Sequence, residues 1–147
     1  MSAQDVQKLR EATGAGVMEC KKALDEAKSD FKKAKTIIEK HGLAKAEKRA
    51  ERSTGAGLVH SYVHNDRVGS LIELRSETDF VARSEPFREL AKNLAMQVAA
   101  MAPEDLSGLL GQPYIKDASK TIKDLVGEVI AKTGENIQVG KFYRIEI

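Results

Sequence analysis

Two of the three histidines and the single cysteine are the side chains of this sequence best suited to metal or nucleophilic chemistry. His60 and His64 are four residues apart, which puts both on one face of a strand. Catalytic zinc needs three protein ligands and structural zinc four, and no third ligand accompanies this pair. We therefore favour a solvent-facing or interface histidine pair over a metal site.

Cys20 has no second cysteine with which to form a disulfide within the chain. It falls in a helical pattern with Val17, Leu24 and Ala27. This pattern favours a small buried side chain over a reactive or metal-binding thiol.

The tetrapeptide TGAG occurs at residues 13–16 and again at residues 54–57. Neither copy has the third glycine of a dinucleotide-binding fingerprint, and neither lies between a strand and a helix, so we interpret both as turns. The sequence also lacks the common phosphate-loop, CxxC, HExxH and GxSxG motifs. We expect a protein that is not an enzyme and that has no catalytic residue, cofactor or metal of its own.

The composition is that of a soluble globular protein: 147 residues, 41% hydrophobic and 31% charged. No apolar run approaches the roughly 18 to 20 residues of a membrane span, and the start resembles neither a secretory signal nor a transit peptide. We expect a cytoplasmic protein without a membrane partner. The net charge of +2 is too small to indicate direct nucleic-acid binding. The lysine-rich run over residues 21–52, in which acids are interspersed, favours a solvated helix face over a nucleic-acid surface.

The elements that must position these residues begin with three short helices. Ser2 and Asp5 form a capping box for the first, the second runs over about residues 17–27, and Asp30 can cap the third. We expect the third helix to stop at His41 and Gly42, because glycine is a common residue after a helix C-terminus. This predicts a three-helix module over residues 1–42. Residues 43–54 follow as a helical linker that has almost no large apolar residue with which to join a core.

Residues 55–147 change to an α+β pattern. Two strand-like runs flank Asn65 and Asp66, which predicts a β-hairpin. Apolar residues at helical spacing then follow Ser84, and a further helix opens at Ser119 or Thr121. The last strand carries alternating apolar residues, namely Ile137, Val139, Tyr143, Ile145 and Ile147. The prediction is a small three-stranded antiparallel sheet with helices packed on it.

Residues 76–80, SETDF, form an unusual connection between a strand and a helix, because a phenylalanine ends a polar run. A phenylalanine on a short connection usually folds back into its own core. The alternative is that Phe80 projects outward as a wedge. The sequence leaves both open.

Two long segments resemble a known family. Residues 9–24, LREATGAGVMECKKAL, resemble the N-terminal signature of elongation factor Ts, and residues 73–83, ELRSETDFVAR, resemble its second signature. Shorter matches follow at residues 111–114, 119–121 and 134–137. The resemblance spans nearly the whole chain.

The resemblance implies a front module similar to ubiquitin-associated domains, followed by a core domain of the dimerisation type. It also implies a function: guanine-nucleotide exchange on elongation factor Tu, bound with GDP or free of nucleotide, during translation elongation. By the resemblance, Asp79 and Phe80 enter the nucleotide domain of Tu and displace its magnesium. The remaining contact residues that it implies are Thr78 and Val81 beside them, Arg10, Val17, Met18 and Lys21 at the front, and His64.

The chain departs from the family pattern at three points. Arg75 stands where the family usually has asparagine. The helical insertion that many members carry between the regions of Pro103 and Gly111 is almost absent, and there is one core subdomain where longer members have two. Members of the single-subdomain kind form homodimers, so the resemblance implies a homodimer here. It would be non-covalent, because the terminal strand contains Tyr143 and no cysteine.

Two other classes of function remain as alternatives. A pure adaptor of the ubiquitin-associated type, without exchange activity, would carry all its partner affinity in residues 1–52. A small RNA-binding protein would lose affinity steeply as salt rises. Neither alternative accounts for the second signature.

Overall fold

The computed structural model describes residues 2–147 and has the predicted α+β architecture. Helices α1 (Ala3–Thr13), α2 (Val17–Glu26) and the first half of α3 (Phe31–Arg49) pack around their own apolar cluster. The predicted capping box is present, since the Ser2 hydroxyl accepts from the Asp5 amide and the Asp5 carboxylate accepts from Ser2. The resemblance of this module to ubiquitin-associated domains, and the domain boundaries, stay predictions.

The predicted end of the third helix at Gly42 is wrong, because α3 continues without a break to Arg49. Gly42 is buried inside the helix, and a Cβ added there would lie 3.0 Å from the Cβ of Ala131. A glycine at this position lets two helices approach closely. Leu43 and Ala46 are half-buried, so the second half of α3 does have a face, although a narrow one, that joins the core.

Gly42→Leu tests this close contact between α3 and the core. A leucine has no room beside Ala131, so we expect a destabilisation of about 1 to 3 kcal/mol despite the better helix propensity of leucine. The measurement is urea unfolding of the whole chain. Ala44→Leu, an exposed position on the same helix, is the matched control and should change stability by less than about 0.5 kcal/mol. Equal stabilities of the two variants would contradict the tight contact.

The main sheet contains strands β1 (Ala56–His64), β2 (Val68–Ser76) and β5 (Ile137–Glu146), with β2 in the middle and both neighbours antiparallel to it. Asn65 and Asp66 form the predicted hairpin turn, and both have positive φ, as the central residues of a type I′ turn do. One face of the sheet packs on α5 (Glu85–Met101), whose buried side chains build the larger core.

The apolar residues of β5 do not share one face, although their alternation suggested that they would. A bulge places two residues of β5, Gly140 and Lys141, opposite the single residue Glu73 of β2, because Ile72 pairs with Phe142 and Leu74 with Val139. Val139 therefore faces the core, whereas Tyr143 beyond the bulge faces outward. The outer face carries exposed apolar side chains from all three strands, namely Val59, Val63, Leu71, Tyr143 and Ile145.

The remaining elements are α4 (Asp79–Ala82), α6 (Leu106–Gly111), the small hairpin of β3 (Pro113–Tyr114) and β4 (Asp117–Thr121), and α7 (Ile122–Thr133). Thr121, one of the two predicted helix starts, caps α7. The buried Gln97 amide joins α5 to β3 by donating to the Pro113 carbonyl over 3.0 Å. Within residues 2–147, none of the helices combines the length and apolarity that crossing a membrane requires.

Candidate partner-binding site

The connection from β2 to α5 presents an aromatic side chain to solvent. Phe80 is 85% exposed and is the second residue of α4. The structure therefore decides between the two alternatives for its position, since the ring does not fold back into the core. Covering a ring exposed to this degree with another molecule would be favourable, which makes this loop a candidate contact surface.

Local contacts hold α4 firmly in spite of its short length. Val81 and Ala82 are buried in the main core, which leaves Asp79 and Phe80 on the opposite side of the helical turn. The Thr78 hydroxyl caps the turn by accepting from the Val81 amide over 3.3 Å. Val81 thus anchors the loop and does not itself offer an exposed contact.

A second loop, between α7 and β5, lies against this connection. The Glu135 carboxylate accepts from the backbone amides of Glu77 and Thr78 over 3.1 and 2.9 Å. It also accepts from the Thr78 hydroxyl over 2.7 Å. Sequence reasoning did not identify this residue as functional, because 57 positions separate it from Thr78. The only available signal was its place in the GENI segment that resembles the family.

The N-terminal module offers a separate exposed surface on α1 and the start of α2. Met18 is 65% exposed and Val17 lies beside it, just after the turn that Gly14 makes with positive φ. Arg10 and Lys21 are also exposed. Two apolar and two basic side chains in this arrangement suit a partner surface that has both apolar and acidic groups.

His64 is not close to the loop of Phe80. It ends β1 at the hairpin, whereas Ser76, which precedes the loop, pairs with Ala56 at the other end of the same strand. A nine-residue strand separates the two ends by about 25 Å. The predicted contact residues therefore fall in three places: the α4 loop, the N-terminal module and the hairpin end.

The two histidines of β1 flank Tyr62, whose hydroxyl lies 2.8 Å from Nδ1 of His64. In the described part of the chain, histidine, cysteine, aspartate and glutamate side chains nowhere gather in a group of three or more that could hold a metal. Cys20 is buried, as predicted, and burial raises the pKa of its thiol above the ordinary value.

Arg75, the departure within the second signature, makes local contacts on the exposed side of β2. Its Nε donates to the Glu73 carboxylate over 2.9 Å, and this hydrogen bond lowers the pKa of Glu73. Its Nη1 lies 3.4 Å from the Thr54 carbonyl, so the side chain also contacts the segment that leads into β1. Arginine at this position therefore ties the strand to its neighbour without entering the α4 loop.

Comparison with known proteins places the whole chain in one family. The family model for elongation factor Ts matches residues 1–107 and, in a second match, residues 77–147. The elongation factor Ts of Thermodesulfovibrio yellowstonii is 41% identical over an alignment of 191 positions that covers all of this chain and 96% of that protein. The elongation factor Ts of Thermotoga maritima is 44% identical over 186 positions, covering 97% of this chain and 94% of that protein.

The same comparison shows that this chain is shorter than its relatives. The alignments are longer than the 147 residues present here, so each relative contains residues that have no counterpart in this chain. This agrees with the near absence of an insertion before Gly111, where only residues 102–105 separate α5 from the short helix α6. The extent of both the family match and the identity is decisive: the chain belongs to the elongation factor Ts family.

Proposed function

We propose that this protein is a guanine-nucleotide exchange factor that acts on elongation factor Tu and promotes replacement of GDP by GTP. Membership of the elongation factor Ts family supports the choice of partner. The observation that carries the proposal is the exposed Phe80 beside Asp79, fixed on a capped turn within the second signature. An aromatic ring next to a carboxylate can push apolar elements of a partner away from each other and, at the same time, compete with magnesium ligands.

Nucleotide exchange is a problem of linked equilibria and requires no bond chemistry, so the protein need not be an enzyme. If the factor binds nucleotide-free Tu more tightly than nucleotide-bound Tu, each ligand weakens the other by the same factor. A coupling of about 10⁴ corresponds to about 5.5 kcal/mol. Burying one phenylalanine contributes about 1.5 to 3 kcal/mol, so Phe80 needs help from other contacts.

The other proposed contact residues have different roles, depending on which surface they belong to. Asp79, in the first turn of α4, would disturb the magnesium site of the partner, while Thr78 holds the turn. The exposed Met18 and its neighbours would hold Tu while nucleotide leaves. Neither surface requires a cofactor or metal bound by this chain.

We also propose that the protein forms a homodimer through the outer face of the sheet. Ile145 is 74% exposed and Val59 is 64% exposed, on strands at opposite edges of the same face. A three-stranded sheet this small rarely leaves such a face uncovered, and a two-fold axis would place the face against its own copy. The dimer would be non-covalent, since Cys20 is buried in the N-terminal module. We propose the cytoplasm as the location of the protein, because a factor that acts on elongation factor Tu must meet it where translation takes place.

The rival function is an adaptor that binds its partner without affecting the nucleotide. The two are separated by measuring the affinity of this chain for Tu with GDP and for Tu stripped of nucleotide, by titration calorimetry. An exchange factor binds the stripped form at least about tenfold more tightly, and added GDP dissociates the complex. Equal affinity for both forms would reject exchange and favour the adaptor.

A further inference from the structure

We propose that Glu135 is a positioning residue that orders the loop carrying Asp79 and Phe80, an inference that rests on the proposed function for its consequence. Glu135 lies in the turn between α7 and β5, and the groups that donate hydrogen bonds to its carboxylate belong to the connection between β2 and α4.

The Glu135 carboxylate accepts three hydrogen bonds from the connection between β2 and α4. Its Oε1 accepts from two successive backbone amides, at 3.1 Å from Glu77 and 2.9 Å from Thr78. Its Oε2 accepts from the hydroxyl of Thr78 over 2.7 Å. Hydrogen bonds to a charged acceptor are stronger than neutral ones, so this carboxylate can fix the backbone that leads into α4.

The hydroxyl of Thr78 transmits this restraint to the exposed residues. Because it donates to Glu135, its oxygen is oriented to accept from the Val81 amide, which is the capping bond of α4. Ordering α4 in advance matters because the ring of Phe80 makes little contact with its own protein. Fixing the backbone of a residue costs conformational entropy, and a loop already ordered avoids that loss when the partner binds.

A reciprocal contact holds the second loop in place. The Glu77 carboxylate accepts from the Asn136 amide over 2.9 Å, so each loop supplies a carboxylate to the backbone of the other. Asn136 in turn donates its side-chain amide to the carbonyls of Ala50 and Arg52 over 3.2 and 2.8 Å. The loop that carries Glu135 is therefore itself attached to the segment that follows α3.

The first test is Glu135→Ala, measured by amide hydrogen exchange on the free protein. We expect the amides of Val81, Ala82 and Arg83 to exchange at least about tenfold faster, while amides in the middle of α5 are unchanged. The matched control is Glu128→Ala, which removes a carboxylate of α7 that pairs with Lys120 over 2.7 Å. The control should leave the amides of α4 unchanged. An unchanged α4 in Glu135→Ala would overturn the inference.

The second test asks whether Glu135 acts through the exposed loop. With saturating factor, Glu135→Ala should slow GDP release from Tu by about tenfold, and Glu135→Gln, which keeps one acceptor oxygen, should slow it less. In the double variant Glu135→Ala/Phe80→Ala, the fold reduction in the rate of GDP release should be clearly smaller than the product of the reductions in the two single variants. Losses that multiply would show that Glu135 acts independently of the loop and would reject the positioning role. If the unaltered chain releases no GDP, the proposed function fails, and the amide-exchange result still decides whether Glu135 orders the loop.

Discussion

Phe80→Ala is expected to slow GDP release from elongation factor Tu at saturating factor by between about tenfold and about 150-fold. These limits correspond to the roughly 1.5 to 3 kcal/mol that the burial of one phenylalanine contributes. Affinity for Tu carrying GDP should change by less than about threefold, because a wedge contributes mainly while nucleotide is leaving. Stopped-flow release of a fluorescent GDP analogue gives the rate, and calorimetry gives the affinity.

The fold should be unaffected in that variant, because an 85% exposed side chain contributes little to the core. Phe31→Ala is the matched control, since Phe31 is also exposed but lies at the start of α3, outside the proposed contacts. It should leave the release rate unchanged. Equal losses in rate and affinity for Phe80→Ala would make Phe80 a plain anchor and would remove the wedge mechanism.

Ile145→Lys is expected to weaken the proposed homodimer by at least about a hundredfold. A two-fold interface repeats each change, so two buried isoleucines are lost and two positive charges enter the same interface. Sedimentation equilibrium over a range of concentrations measures the effect. The folded monomer should persist, because Ile145 points away from the core and is mostly exposed in the single chain.

Ile115→Lys is the control for that experiment. Ile115 is another exposed isoleucine, but it lies in the turn between β3 and β4, outside the main sheet. It should leave the dimer intact. A monomeric unaltered protein at the highest concentrations, or a dimer that survives Ile145→Lys, would contradict the proposed interface.

Local patterns were sufficient to predict most elements. The Ser2 capping box, the Asn65 and Asp66 turn and the regular apolar spacing after Ser84 each follow from contacts within a few residues, and each is present in the structure. The buried state of Cys20 followed in the same way, from its helical neighbours.

Features that depend on distant contacts could not be predicted in this way. Gly42 matched the pattern of a helix end, but it lies inside α3, where the missing side chain leaves room for Ala131 of α7. The bulge in β5 moves Tyr143 to the outer face, and its cause lies in the pairing with β2. Simple alternation in one strand does not reveal a bulge.

In the candidate site, too, local patterns could be predicted from the sequence and distant contacts could not. The second signature identified Asp79 and Phe80, but only the folded chain showed that the ring is exposed and that Thr78 caps the turn below it. Glu135 was missed because its partners are remote in sequence. Residues that position an exposed loop are often of this kind, since the support must come from another element.

Exchange activity is tested most directly by release of a fluorescent GDP analogue from bacterial elongation factor Tu in the presence of magnesium. The protein would be added in amounts far below those of Tu, so that each molecule must act repeatedly. Exchange activity predicts a release rate that rises in proportion to the added factor. A rate equal to the spontaneous one, with binding to Tu demonstrated in the same solution, would contradict it.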